Sequence, residues 1–328
     1  MADDNKPLKY MRYAVGEIVL VVIGILIALQ INTWNEERKN NAKILSFFEE
    51  VQKDLLKDIS NTEDAISAYK MKDSLAYLVL NNKITRDDYK TSDHRSELFQ
   101  LIVNSNPFIF NTNGYHNLKL NVNDISSANK AVYDTLTRLY NYLPKMLEDQ
   151  NIRINNYVYD NIKYLSNNKK WFSSEYSTWQ SNDTIIDYFL YDPFYKNRVK
   201  EFRILLSDPY KTYKIEAIKV YEQLDVITKS KKPIPNHLKI YIVDADSLKQ
   251  YIGVYKPKDS TQKNLIEVNE KGFFYNKYQY HLLREGNDRF SFEDSYNRSL
   301  TFQSNTQGEF NGLTIHLYDK NTEYIKTD

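Results

Sequence analysis

"YAVGEIVLVVIGILIALQINTWNE", residues Tyr13 to Glu36, has an uncharged apolar core from Ile18 to Leu29 with Glu17 standing at its mouth. Three structures accommodate such a run: a cleaved signal peptide, a buried core helix and a membrane-spanning helix. A signal peptide needs a small-residue cleavage site, whereas Ala28-Leu29-Gln30 leads straight into Ile31-Asn32-Thr33-Trp34. A buried helix would supply protein partners for Glu17, Gln30 and Asn32. The flanks favour the span. From Tyr13 to Trp34 a helix covers about 30 Å, the hydrocarbon thickness of a bilayer, with Tyr10 and Tyr13 at one boundary and Trp34 at the other.

Basic residues are balanced across this run: Lys6, Lys9 and Arg12 precede it, and Arg38, Lys39 and Lys43 follow. Arg12 abuts the short side, while Glu36 and Glu37 come first on the long side, and large domains translocate regardless of charge. The amino terminus is therefore expected in the cytoplasm and the body outside it.

The remaining composition describes that body. The 328 residues are 41% hydrophobic, enough for a real core, and 44 basic against 43 acidic side chains leave a net charge of +1. No overall field points to nucleic acid. Cysteine is absent, which excludes disulfides, thiol catalysis and thiolate metal sites. Eight glycines, eight prolines and 28 tyrosines favour long helices with aromatic packing.

Beyond Trp34 the apolar period is helical. Ile44, Phe48, Val51 and Leu55 form one stripe, with Lys53 and Asp54 on the solvated remainder, and a second periodic stretch runs from Thr62 to Asn81. "NSNPF" (Asn104 to Phe108) breaks the chain. Asp124 or Ser126 is expected to cap the next helix, whose Val132, Leu136, Leu139 and Leu143 share a face before Pro144 kinks or ends it. Further helices are expected from Pro193 to Leu206 and from Pro209 to Thr228. "SKKPIPN" (Ser230 to Asn236) reads as a linker, after which the period falls to two at Phe290 and Phe292, Leu300 and Phe302, and Leu313, Ile315 and Leu317. The expected architecture is membrane-anchored α+β: a cytoplasmic tail (1–12), a transmembrane helix (13–34), an extracytoplasmic helical bundle (35–229), a linker (230–244) and an antiparallel β domain (245–328).

Two resemblances add to this reading. "KYMRYAVGEIVLVVIGILIALQINTWNEERK" resembles the amino-terminal signature of an uncharacterised family of single-pass proteins common in Bacteroidota. The likeness extends more faintly through "NTNGYHNLKLN" (Asn111 to Asn121) and "AVYDTLTRLYNYL". It implies an inner-membrane anchor with a periplasmic body, and it points to no particular activity. The terminal region, with Tyr251-x-Gly253-x-Tyr255 and a late run from Phe302 through Gly308 to Gly312-Leu313, resembles the small β domain appended to serine hydrolases of the penicillin-binding class.

That second likeness prompts a search for catalytic groups. Ser127-x-x-Lys130 fits a Ser-x-x-Lys pattern, but Lys211-Thr212 is followed by Tyr213 rather than glycine, and helix capping accounts for Ser126 and Ser127. His94, His116, His237, His281 and His316 lack metal-ligand spacing, and no phosphate-binding glycine loop is present. Asp93-His94 reads as a solvated loop, and His316 should face away from its strand's core. Neither metal nor cofactor is expected, nor an enzyme. The tyrosines of "YNYL", "NNYVYDNIKYL" and "DYFLYDPFY" suit either a bundle core or a ligand groove.

Glu17 is costly within a membrane unless it snorkels or meets a partner. Gly24 and Ala28 form a small-xxx-small pair with Gly16 two turns before Gly24 on nearly the same side, so Gly16, Glu17, Gly24 and Ala28 are the expected helix–helix contact. The expected function is interaction or scaffolding in the cell envelope. Its expected partners are the lipid bilayer and a membrane or periplasmic protein, possibly a second copy, but not nucleic acid. The alternative is a sensor-like periplasmic ligand-binding module acting through a membrane partner.

Overall fold

The computed structural model describes residues 6–91, 94–105, 108–205, 209–259, 261 and 264–327, without the side chains of 6–10, 94, 176, 177 and 209. Expectations for the side chains of Lys6, Lys9, Tyr10 and His94, and for Asp93 and the Asn106-Pro107 break, lie outside the described residues.

The chain opens with one long helix, α1 (Lys6–Leu80), which contains the apolar run and both periodic stretches expected after it. No glycine or proline follows Gly24 before its end, so nothing interrupts the backbone ladder. Its first part and its last part have different surroundings. Side chains from Met11 to Trp34 are all exposed, whereas from Ile44 onward Phe48, Val51, Leu55, Ile59 and Ile66 are buried along one stripe.

The helices that follow are α2 (Arg86–Thr91), α3 (His94–Val103), α4 (Asn113–Leu120), α5 (Lys130–Asn168), α6 (Asp183–Tyr191), α7 (Pro193–Leu205) and α8 (Pro209–Thr228); α3, α4, α7 and α8 pack on α1, and α2, α5 and α6 pack chiefly on the other helices. α8 lies antiparallel along α1: Thr228 bonds Gln52, Tyr213 bonds Asp58, and Tyr210 packs on Tyr69. Two expectations are corrected. Pro144 does not end α5, which continues through it over 39 residues from Lys130 to Asn168. Leu139, Leu147 and Ile154 are buried on both sides of the proline, and that burial outweighs the roughly 3 kcal/mol an interior proline costs. Nor does Asp124 or Ser126 cap α5. Two short 3-10 turns, Val122–Asp124 and Ser127–Asn129, intervene, and Asn129 precedes the helix without a side-chain cap.

The segment after α8 is packed rather than free, since Ile234 and Leu238 belong to the helical core and Lys232 accepts a bond from Tyr221. Nine strands follow among the described residues: β1 (Gly253–Pro257), β2 (Ile266–Asn269), β3 (Gly272–Tyr275), β4 (Tyr278–Tyr280), β5 (Leu282–Arg284), β6 (Arg289–Phe292), β7 (Arg298–Ser304), β8 (Phe310–Leu317) and β9 (Lys320–Thr327). They form one antiparallel sheet in the order β4-β3-β2-β1-β9-β8-β7-β6-β5. Its two edge strands are separated in the chain by His281 alone, so the sheet must roll until its edges nearly meet. The concave side holds a separate aromatic core of Tyr251, Tyr255, Phe290, Phe292, Phe302 and Tyr324. The molecule is thus mostly helical with a carboxy-terminal antiparallel sheet and one long apolar amino-terminal helix.

Candidate functional site

Three arrangements bear on function: the exposed segment of α1, the acidic face that follows it, and the junction between helices and sheet. The first is long and apolar enough to cross a membrane, and none of its apolar window is buried. Helical geometry sets Gly24 and Ala28 about 40° apart with Glu17 between them in projection, while Gly16 stands about 80° from Gly24 and only borders that face. Gly16 and Gly24 have nothing within 4 Å of an added Cβ. At the other end Asn32 donates to Glu36 at 3.1 Å, so its amide is already engaged within the helix.

The second arrangement explains the Asn111 to Asn121 motif. Glu50, Asp54 and Asp58 repeat every four residues on α1 and receive, in turn, the side-chain amide of Asn117, the backbone amide of Gly114 at 3.0 Å and both amides of Asn111. Asp54, expected on the solvated side, is buried because it caps this approach. Gly114 lies so close that an added Cβ would stand 2.4 Å from the Val51 nitrogen, and only glycine fits there. Tyr213 also donates to Asp58, and burial pushes that carboxyl up to about 6.

The third arrangement joins residues far apart in sequence. Asp73 on α1 accepts from Arg203 Nε at 2.9 Å, Asn297 Nδ2 at 2.8 Å and the Tyr318 hydroxyl at 2.7 Å. Arg203 also bonds the Tyr318 hydroxyl, and Asp319 accepts from Tyr77 and Lys83. Nearby, the buried Lys211 ammonium donates to the carbonyls of Ser295 and Phe292, and Tyr296 inserts into the helical core. Tyr318 occupies the β8–β9 turn at φ +54°, a left-handed conformation that bulky residues rarely adopt.

The other residues singled out by the sequence are dispersed. Ser127 and Lys130 are both exposed; the Lys130 backbone N–H donates to the Ser127 carbonyl, and no side-chain hydrogen bond joins them among the described residues. His316 lies on β8 between Thr301 and Asn321. No three metal-ligating side chains converge among the described residues. Of the tyrosines proposed for a groove, Tyr140, Tyr157, Tyr188 and Tyr195 are buried, with Tyr140 stacked on Tyr115 at 4.7 Å, and Tyr142, Tyr159 and Tyr191 are exposed.

The profile of a family of unknown function (DUF6090) matches residues 17–188, just over half of the chain. The matched stretch contains Glu17, Gly24, Ala28, the acidic face and Gly114, and it ends within α6. No curated protein and no solved structure matches the chain.

Proposed function

The chain belongs to this family of unknown function, and on that premise we propose that it is a single-pass inner-membrane protein whose periplasmic body is an interaction or scaffolding module of the cell envelope. The observation that supports the anchor is the complete exposure of the apolar run, from Met11 at 62% through Leu20 at 73% to Trp34 at 62%. Burying a large aliphatic side chain is worth about 1.5–3 kcal/mol, so leaving this run in water costs on the order of tens of kcal/mol. A helix apolar all round is solvated by lipid. The amino terminus then lies in the cytoplasm, and α1 carries the body outward. Its first buried residue, Ile44, stands about 15 Å beyond Trp34 at the helical rise.

Glu17, Gly24 and Ala28 give the span a narrow face suited to a second membrane helix, with Gly16 beside it. The likeness of the terminal sheet to hydrolase-associated β domains fits a docking accessory, and the exposed Ser127 and Lys130, whose side chains share no hydrogen bond among the described residues, give no support to hydrolysis. Membership of a Bacteroidota lineage accords with the amino-terminal signature. A second reading, a ligand-binding module acting through a membrane partner, is favoured by a cavity at the junction of helices and sheet.

Reporter fusions after Asp328 test the arrangement. A periplasm-dependent reporter should be active there and a cytoplasm-dependent one silent; the reverse pattern would put the body in the cytoplasm. Purification from native membranes should then recover a stoichiometric envelope partner or a second copy.

A further inference from the structure

Between α1, α8, the segment after α8 and the β5–β6 turn lies a cavity of about 650 Å³, within the size range of small-molecule sites. Its walls carry Lys70, Lys211, Lys214, Lys239 and Arg284 against two carboxylates, Glu63 and Glu285. A smaller cavity of about 170 Å³ shares Lys70, Glu285 and Tyr296 with it and adds Arg289, Arg298 and His316. Such an excess of cations is notable in a chain whose net charge is +1.

Both carboxylates are already engaged. Glu63 pairs with the buried Lys214, and Glu285 pairs with Arg289 at 3.2 Å. Arg298 pairs with Asp294 at 2.7 Å. Lys211 is buried and donates to the backbone carbonyls of Ser295 and Phe292. Lys70, Lys239 and Arg284 are exposed, and among the described residues no carboxylate forms an ion pair with them. They come from three different elements, and Ser67, Ser291, Asn236 and Asn287 stand among them as neutral hydrogen-bonding groups.

We propose that this junction cleft binds a multiply charged anion bearing phosphate or carboxylate groups. Cations from three elements around a cleft of this size suit an anion carrying several charges, and the hydroxyl and amide groups suit its remaining oxygens. Because the ligand touches both α1 and the sheet, binding stabilises the junction itself. The cleft lies on the body, so anion binding and membrane anchoring fail independently.

Calorimetric titration of the full-length protein in detergent, at constant ionic strength, tests the assignment with tripolyphosphate and with citrate as probes. Saturable binding of one or both is expected, and the stronger probe identifies the phosphate or carboxylate class. The combined Lys70→Gln, Lys239→Gln and Arg284→Gln variant, altered only at exposed positions, should weaken it about tenfold or more. Unchanged melting of the variant without probe would show that its fold survives. No saturable binding of either probe, or equal binding by the variant, would overturn the proposal.

Discussion

The ring of Tyr318 stacks on that of Tyr77, with centroids 4.1 Å apart and planes 6° from parallel. This contact joins the tip of the β8–β9 hairpin to α1 across 241 positions of sequence, while the Tyr318 backbone is held at φ +54°. The stacking and the bonds to Asp73 and Arg203 offset that backbone cost. Tyr318→Gly relaxes the backbone but removes the ring and hydroxyl. The expected result is a net loss of about 1–3 kcal/mol in chemical denaturation. A neutral or stabilising effect would mean that the junction contributes little.

Asp73 carries the greater consequence, since Arg203, Asn297 and Tyr318 all donate to it. Asp73→Ala leaves three donors without their acceptor and should cost about 3 kcal/mol. Calorimetry should then show the sheet and the helices melting separately. One unchanged transition would refute a junction held by this carboxylate.

Gly114→Ala forces a methyl group onto the α1 backbone at Val51 and should destabilise the protein by about 1–3 kcal/mol. Gly286→Ala, where the nearest atom to an added Cβ is 3.8 Å away, is the near-neutral control. Equal melting of the two variants would contradict the close approach.

Asp58 predicts a pH dependence of definite sign. Its folded-state pKa, about 6, lies above the ordinary 3.8, so the folded state binds the proton more tightly. Its stabilisation is complete below the lower value and is lost as pH rises through the upper one. Relative to Asp58→Asn, the unmodified protein should therefore gain about 1 kcal/mol on going from about pH 7 to about pH 5. A stability difference that is flat or falls over this range would contradict the burial assigned to Asp58.

How much of this was legible varies with the range of the interactions. The Ile44–Leu55 stripe and the alternation at Phe290 and Phe292 are local patterns, and both elements form where their periods place them. The unbroken length of α1 had a signal too, in the absence of glycine and proline after Gly24. Asp54 misled because a carboxylate on a polar face reads as solvated until the partner segment that covers it is known. Tyr318, Asp73 and Arg203 carry no shared pattern, since only the folded chain brings them together. The cations of the junction cleft are likewise scattered from Lys70 to Arg298.

The membrane face makes a separate prediction. If Glu17, Gly24 and Ala28 contact another helix, Gly24→Ile should weaken self-association or partner recovery in a membrane two-hybrid assay. Glu17→Gln should have the smaller effect, because an amide still forms hydrogen bonds. Unchanged association in the Gly24→Ile variant would leave the span as an anchor alone.

The central claim, that the exposed run from Tyr13 to Trp34 is solvated by lipid, is tested most directly by washing native membranes with alkaline carbonate. The full-length protein should remain in the membrane pellet and a fragment beginning at Asn35 should be released. Release of the full-length protein into the carbonate supernatant would contradict the account.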